Sequence, residues 1–227
     1  MIKNISNLGD AALYCDFGTE VNQEINLKVI SYFKILRKLV NTNNIKGILN
    51  LTPSYNKLII SFDLSLTSYL EIKQCIEELK IDIQEINSSK KIEIPVCTDD
   101  DFSLDNERIK KITNQSKDEI FELFFEKEYF CYMTGFIAGM PFLGDINKKI
   151  RCERLETPRL NVPKGSVGLT EQFANIYTSE SPGGWNIIGN TPLVIFNKEN
   201  ESQPNLINPG DKISFYKISR EKYENWK

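Results

Sequence analysis

The segment TPRLNVPKGSVG, residues 157–168, sets the character of the C-terminal half of the chain. Its two prolines and two glycines divide it into short apolar pieces, which are typical of strands joined by tight turns. The same spacing of glycines and prolines is found in GFIAGMPFLG, residues 135–144, and in SESPGGWNIIGNTP, residues 179–192. The pattern beyond Tyr129 therefore predicts an all-β barrel or sandwich.

The N-terminal part has a different periodicity. Its apolar residues recur at steps of three and four over residues 22–41 and again over residues 69–79, which predicts two amphipathic helices. Four short apolar runs predict strands, at residues 8–17, 46–51, 58–62 and 91–96. The resulting order of strand, helix, strand, strand, helix, strand is that of a split βαβ, or ferredoxin-like, unit.

These patterns together predict an α+β protein of two domains. We expect a ferredoxin-like domain over residues 1–90 and a β-barrel domain over residues 91–227. Short helices are expected near residues 106–127, within the second domain.

Composition argues against several classes of function. The formal charge of the 227 residues is -3, so no bulk field attracts the protein to nucleic acid or to an anionic membrane. No apolar run is long enough to cross a bilayer. The five cysteines are scattered and form no CxxC pair for zinc or for thiol exchange. We therefore expect a cytoplasmic protein with no nucleic-acid partner and no membrane partner.

The chain contains no histidine. This excludes Ser-His-Asp and Cys-His catalysis and most zinc sites, and no metal site is expected. A nucleotide motif is also missing, because Asp145 and Ile146 follow Gly144 where a P-loop has Lys and Ser or Thr. Any bound ATP would need a partner chain or a site without a local motif.

The three glycine- and proline-rich segments are candidate ligand-binding loops, although each one alone is explained equally well as a barrel turn. Arg159 is the first catalytic candidate, because Pro158 and Pro163 bracket a stiff loop around it. A guanidinium pairs with a carboxylate through two hydrogen bonds, so Arg159 could hold a small acid. Other cations nearby are better explained as a solvated face: Lys148, Lys149 and Arg151.

Glu180 is the second catalytic candidate, as a base or as a partner for an ammonium or amide, and a structural role fits it equally well. Pro182 and Gly183 suit the centre of a type II turn. Trp185 is more typical of packing, although its indole could close a pocket. The candidate substrate-binding residues are Gly139, Pro141, Phe142, Thr157, Lys164, Ser166, Ser181, Gly183, Gly184 and Trp185.

The three segments resemble the signature segments of the family of bacterial 5-oxoprolinase B subunits, also called the KipI family or the allophanate hydrolase subunit 1 family. The corresponding family segments read GFxPGFPYLG, TPRxxVPAGSVG and SPGGWxxIGRTP. Residues 8–12 and 208–212 extend the resemblance to both ends. It therefore covers essentially the whole chain.

The resemblance implies a ferredoxin-like domain followed by a cyclophilin-like β-barrel, where cyclophilin-like describes shape alone. It implies one component of a hydrolase, inactive by itself. With the C subunit of 5-oxoprolinase, which is KipA-like, and possibly with the A subunit, it would open the lactam of 5-oxoproline to glutamate. ATP would be bound with or by a partner chain, and this chain alone would hold no cofactor. Arg159 would hold the substrate carboxylate.

This chain departs from the family pattern at several positions, and the departures leave the substrate open. Among the residues that differ are Phe124, Ala138, Met140, Phe142, Phe173, Ala174, Asn175 and Asn190. Two alternatives therefore remain. One is a KipI-type inhibitor of a sensor histidine kinase. The other is a component related to allophanate hydrolase or urea carboxylase, although no biotin-accepting Met-Lys pair is present.

Overall fold

A computed structural model of the protein describes residues 2–79 and 89–226. The chain divides into two compact units, residues 1–88 and 89–227. The first combines a sheet with two helices and the second contains a closed barrel, which confirms the predicted α+β fold class. Within the described ranges, every helix is too short or too polar to cross a lipid bilayer.

The N-terminal unit is a four-stranded antiparallel sheet with two helices packed on it. Its elements are Asn4–Asn7 (β1), Ala12–Asp16 (β2), Gln23–Asn41 (α1), Ile48–Pro53 (β3), Lys57–Phe62 (β4) and Tyr69–Glu78 (α2). The strand order is β1-β2-β4-β3, with α1 against β3 and β4 and α2 against β2. Both predicted helices are confirmed, and α1 begins where the Asn22 side chain accepts the N–H of Ile25.

Two strand predictions for this unit are wrong in detail. The run at residues 8–17 contains a turn as well as a strand, because β1 and β2 form a hairpin around Gly9, whose φ is +63°. The run at residues 91–96 does not belong to this sheet. Its expected edge position beside β2 is taken by β1, which is close in sequence and therefore pairs at a small entropic cost.

The C-terminal unit contains a closed seven-stranded barrel and a separate two-stranded sheet. Its elements are Lys91–Cys97 (β5), Asn106–Thr113 (α3), Lys117–Phe125 (α4), Glu128–Thr134 (β6), Pro141–Gly144 (β7), a 3-10 turn at Lys148–Ile150, Arg159–Val162 (β8), Ser166–Thr170 (β9), Phe173–Ile176 (β10), Ser181–Gly183 (β11), Asn186–Asn190 (β12), Lys212–Ile218 (β13) and Arg220–Glu224 (α5). The barrel order is β10-β7-β6-β13-β5-β12-β9, closed by β9 and β10, while β8 pairs with β11. The predicted β-barrel is confirmed.

Strand β5 belongs to the barrel because its apolar run needs burial and a partner on each side. It pairs in parallel with β13 along its whole length, from Lys91 to Cys97. Ile94 and Val96 are fully buried in the barrel core. Near-continuous apolar runs of this kind are typical of strands buried on both faces.

Strands β12 and β5 approach each other closely within the barrel, and Gly189 permits this approach. The two strands are paired at Asn190 and Cys97. A Cβ on Gly189 would lie 2.6 Å from Cγ1 of Val96 and 2.8 Å from the carbonyl oxygen of Cys97. Both distances are shorter than van der Waals contact, so only glycine fits.

We predict that Gly189→Ala lowers the free energy of unfolding by about 1–3 kcal/mol, because overpacking forces the two strands apart. Denaturant unfolding of the purified protein measures this. Gly184→Ala is the matched control, since its Cβ would have no neighbour nearer than 3.6 Å. Equal unfolding midpoints for the two variants would contradict the close approach at Gly189.

Candidate functional site

The three glycine- and proline-rich segments meet in one buried cluster. Met140 from the first, Val162 from the second and Trp185 from the third pack together with Tyr177. The ring of Phe142 stands edge-on to Trp185, with a centroid separation of 5.5 Å. The pairing of β8 with β11 joins the second and third segments directly. Turns that are far apart in sequence thus form a single structural neighbourhood.

Arg159 lies on β8, opposite Gly183, and its guanidinium is already paired. Nη2 of Arg159 is 2.6 Å from Oδ1 of Asp105, and the two side chains are 27% and 6% exposed. Oδ2 of Asp105 accepts the N–H of Ile187 at 2.7 Å, while the N–H of Asp105 donates to the carbonyl oxygen of Ile187. Asp105 therefore connects the start of α3 to both β8 and β12.

The second terminal nitrogen of Arg159 differs from the first in its hydrogen bonding. Nη1 is buried and has no hydrogen-bond partner among the residues that the structure describes. Oγ of Ser181, on β11 opposite Val162, is also buried without such a partner. Two buried polar groups of the β8–β11 sheet are therefore without a hydrogen-bond partner among the described residues.

Two further arginines lie beside this pair. Nε of Arg108 donates to Oδ1 of Asn186 at 3.0 Å, and Nη2 of Arg108 donates to the carbonyl oxygen of Arg154 at 3.4 Å. Nη2 of Arg154 would be 3.6 Å from a Cβ on Gly184. The region around β11 is therefore strongly cationic.

The neighbouring titratable groups respond to this environment. Burial raises the pKa of the Cys152 thiol to about 11, with Arg108 opposing the shift and Asp105 adding to it. Burial also raises the pKa of Tyr177, against the opposing hydrogen bonds of Asn175 and Trp185 and the charges of the nearby arginines. Both groups stay protonated at neutral pH, and neither supplies an anion to balance the arginines.

The Tyr177 hydroxyl occupies the space beneath Gly183, where a Cβ would overlap the phenol ring. Asn175 is fully buried beside it, and its Oδ1 would be 2.6 Å from a Cβ on Gly168. Both glycines therefore make room for these polar groups. Asn175, one of the departures from the family pattern, lies inside the cluster.

An open cleft of about 380 Å³ lies where the three segments face the loop after β12. Its lining residues are Ala138, Lys164, Thr178, Ser179, Val194, Phe196, Asn197, Lys198 and Glu199. Each segment contributes one of them, namely Ala138, Lys164 and Ser179. The Lys164 side chain is exposed and forms no ion pair within the described part of the chain, whereas Lys198 is 3.8 Å from Glu199. Lys164 is thus the cation of the cleft that has no ion pair among the described residues.

The remaining predicted residues occupy several places. Glu180 is exposed next to Ser179 of the cleft and has no ion pair or hydrogen bond within the described ranges. Thr157 is exposed, Ser166 is buried on β9, and Pro141 begins β7. Gly139 packs against Phe196, because its Cβ would be 2.6 Å from that ring. The catalytic and substrate-binding roles predicted for these residues stay predictions.

Asn190, where the family pattern has an arginine, has a structural role. Its Nδ2 donates to the carbonyl oxygen of Lys164 at 3.0 Å, and its Oδ1 accepts the hydroxyl of Tyr223 at 2.9 Å. The side chain therefore ties α5 to the turn that precedes β9. Phe124 is likewise a core residue, fully buried against Tyr129 and Phe215.

Sequence reasoning missed Asp105, Arg108, Asn186 and Tyr177. Asp105 precedes a helix and would be interpreted as an N-cap, yet its side chain makes no capping bond and reaches across to Arg159 instead. Asn186 is fully buried and donates to the carbonyl oxygens of Glu153 and Leu169. An asparagine at the start of an otherwise apolar run was the available signal.

The class to which the chain belongs is a carboxyltransferase-type domain. Residues 3–207 match the family model described as carboxyltransferase domain, subdomain C and D. The B subunit of the 5-oxoprolinase of Bacillus subtilis (strain 168) is 32% identical over 98% of this chain and 96% of that protein. The chain therefore belongs to the family of 5-oxoprolinase B subunits.

Two other relatives are longer than this chain. The crystal structure of the protein TTHA0988 has a TM-score of 0.81 and 26% sequence identity, over 92% of this chain and 40% of that one. The urea amidolyase of Saccharomyces cerevisiae is 21% identical over 94% of this chain and 13% of its own length. The chain thus spans less than half of each of these two proteins.

We predict that Asp105→Ala lowers the free energy of unfolding by about 2–4 kcal/mol, because it removes the partner of a largely buried guanidinium. Arg159→Gln alone should also destabilise, since it leaves a buried carboxylate without its counter-charge. A double-mutant cycle is measured by denaturant unfolding. The free energy of unfolding of the double variant should fall by less than the sum of the decreases in the two single variants. Strict additivity would mean that the two side chains do not interact.

Proposed function

We propose that this chain is the B subunit of an ATP-dependent 5-oxoprolinase, which opens the lactam of 5-oxoproline to glutamate together with its C and A subunits. The observation that carries the proposal is the match to a protein of that name over nearly the full length of both chains. The meeting of the three signature segments in one cluster supports it. This chain alone would be inactive, as expected of one part of a heteromer.

The chemistry of the substrate explains the need for ATP. A lactam is a poor electrophile, and phosphorylation of its oxygen makes ring opening feasible at neutral pH. The part assigned to this chain is to bind and orient small anions, for which arginine, lysine and hydroxyl groups are well suited. The chain has these groups and no histidine.

We assign the substrate carboxylate to Lys164 in the cleft, and not to Arg159 as the sequence suggested. The family segment has alanine at the position of Lys164, so this contact would be particular to this chain. Asp105 already balances the charge of Arg159, whereas Lys164 has no such partner among the described residues. Val194 and Phe196 supply apolar surface for the ring of the lactam. Glu180 would act as a general base at the edge of the cleft.

Reconstitution tests the proposed function. The purified chain is mixed with the C and A subunits from the same organism, and ATP hydrolysis is followed with and without 5-oxoproline. We expect hydrolysis stimulated by 5-oxoproline, formation of glutamate, and loss of both when this chain is omitted. The proposal would be contradicted if the rate of ATP hydrolysis were the same with and without 5-oxoproline, or the same when this chain is omitted.

A Lys164→Gln variant tests the assignment of the substrate carboxylate. In the reconstituted enzyme, KM for 5-oxoproline should rise about tenfold or more, because a charge-assisted hydrogen bond is lost. Lys149→Gln is the matched control, since it removes the same charge from an exposed position on the 3-10 turn. An unchanged KM in Lys164→Gln would show that the carboxylate binds elsewhere.

A urea-related reaction is the second candidate, favoured by the likeness to urea amidolyase over 94% of this chain. The same assay separates the two, with urea or allophanate added in place of 5-oxoproline. Stimulation by either of these compounds and not by 5-oxoproline would favour the second candidate. Inhibition of histidine-kinase autophosphorylation without any substrate would instead point to a KipI-type regulator.

A further inference from the structure

Three arginine side chains lie around the β8–β11 sheet. Arg159 is paired in register with Gly183, and Nη2 of Arg154 would be 3.6 Å from a Cβ on the next residue, Gly184. Nη2 of Arg108 is 3.4 Å from the carbonyl oxygen of Arg154. The three guanidinium groups therefore share one neighbourhood, although they come from α3, from the loop before β8 and from β8 itself.

The charges of this cluster are not balanced. Asp105 is the acid that pairs with Arg159. Glu153 and Glu156 are near in sequence, but both are exposed and neither forms an ion pair with an arginine within the described residues. Three positive groups and one paired carboxylate leave a local charge of about two positive units.

Part of the hydrogen-bonding capacity of the cluster is also unused. Nη1 of Arg159 is buried without a partner, and the Arg154 guanidinium makes no hydrogen bond or ion pair in the described part of the chain. Ser181, which is 9% exposed, has its Oγ buried without a partner on the same sheet. Buried donors in folded proteins nearly always have an acceptor, so this arrangement points to a ligand rich in acceptor oxygens.

We propose that Arg108, Arg154 and Arg159, with the Ser181 hydroxyl, form a binding site for a phosphate group. A phosphate dianion matches the local charge and offers several oxygens to planar guanidinium forks. Gly184 carries no side chain that would obstruct its approach, since a Cβ there would have no neighbour nearer than 3.6 Å. Lys164 is not one of these residues, and its single charge suits a monocarboxylate.

The identity of the phosphate carrier rests on the proposed function, because ATP is the phosphate source of that reaction. This chain would then hold phosphoryl oxygens while a partner chain binds the rest of the nucleotide. Inorganic phosphate and ATP share the chemistry that the arginines recognise. Separate titrations with each distinguish a site for free phosphate from a site for a nucleotide.

Calorimetric titration of the full chain at fixed ionic strength tests the site without any enzymatic readout. We expect inorganic phosphate or ATP to bind in the millimolar range or tighter, and Arg154→Gln to weaken that binding about tenfold. Arg154 is exposed, so this variant should fold. Lys149→Gln, which removes one charge from an exposed position, should change the affinity less than about twofold.

A spectroscopic titration locates the bound anion. Trp185 and Trp226 are the two tryptophans of the chain, so a Trp226→Phe background leaves Trp185, next to Gly184, as the single reporter. Phosphate should change its emission at the same concentrations as in calorimetry, and Arg154→Gln should shift the curve to higher concentration.

The proposal is wrong if the native chain binds neither phosphate nor ATP, or if Arg154→Gln and Lys149→Gln weaken binding equally. Its failure is separable from that of the proposed function. Phosphate binding without 5-oxoproline-stimulated ATP hydrolysis would support the phosphate site and contradict the proposed function. Stimulated hydrolysis by a chain that binds no phosphate would support the proposed function and contradict the phosphate site.

Discussion

The carboxylate of Asp105 is the interaction on which the rest of the site depends. One oxygen holds Arg159 and the other holds the N–H of Ile187, so α3, β8 and β12 are tied to a single side chain. A buried carboxylate is stable only when it is paired and hydrogen-bonded, and here both oxygens are engaged. This constraint links the β8–β11 sheet to α3 and to β12, beside Trp185.

The same interaction bears on the two proposed anion sites of the C-terminal unit. Because Asp105 engages one edge of Arg159, that guanidinium cannot offer its full fork to a small acid, and its remaining nitrogen joins the other arginines. Lys164 lies in a separate open cleft with apolar walls. A reaction that combines a monocarboxylate with a phosphate source has use for both kinds of site.

Much of the fold could be predicted from the sequence, because helical spacing and Gly or Pro punctuation are local signals. The three segments were also correctly chosen as one group, since their turn residues repeat. The pairing of β5 and the roles of Asp105, Arg108 and Asn186 could not be predicted. Their partners lie far away in sequence, with 54 residues between Asp105 and Arg159 and 78 between Arg108 and Asn186. No local pattern encodes such contacts.

Hydrogen exchange at the Ile187 amide tests the central role of Asp105 most directly. If the carboxylate holds this N–H at 2.7 Å, the amide should exchange as slowly as those of the barrel core, which open only on unfolding of the unit. NMR of uniformly labelled protein resolves the individual amide. Exchange at the rate of an exposed loop, with the neighbouring amides of β9 still protected, would contradict the account.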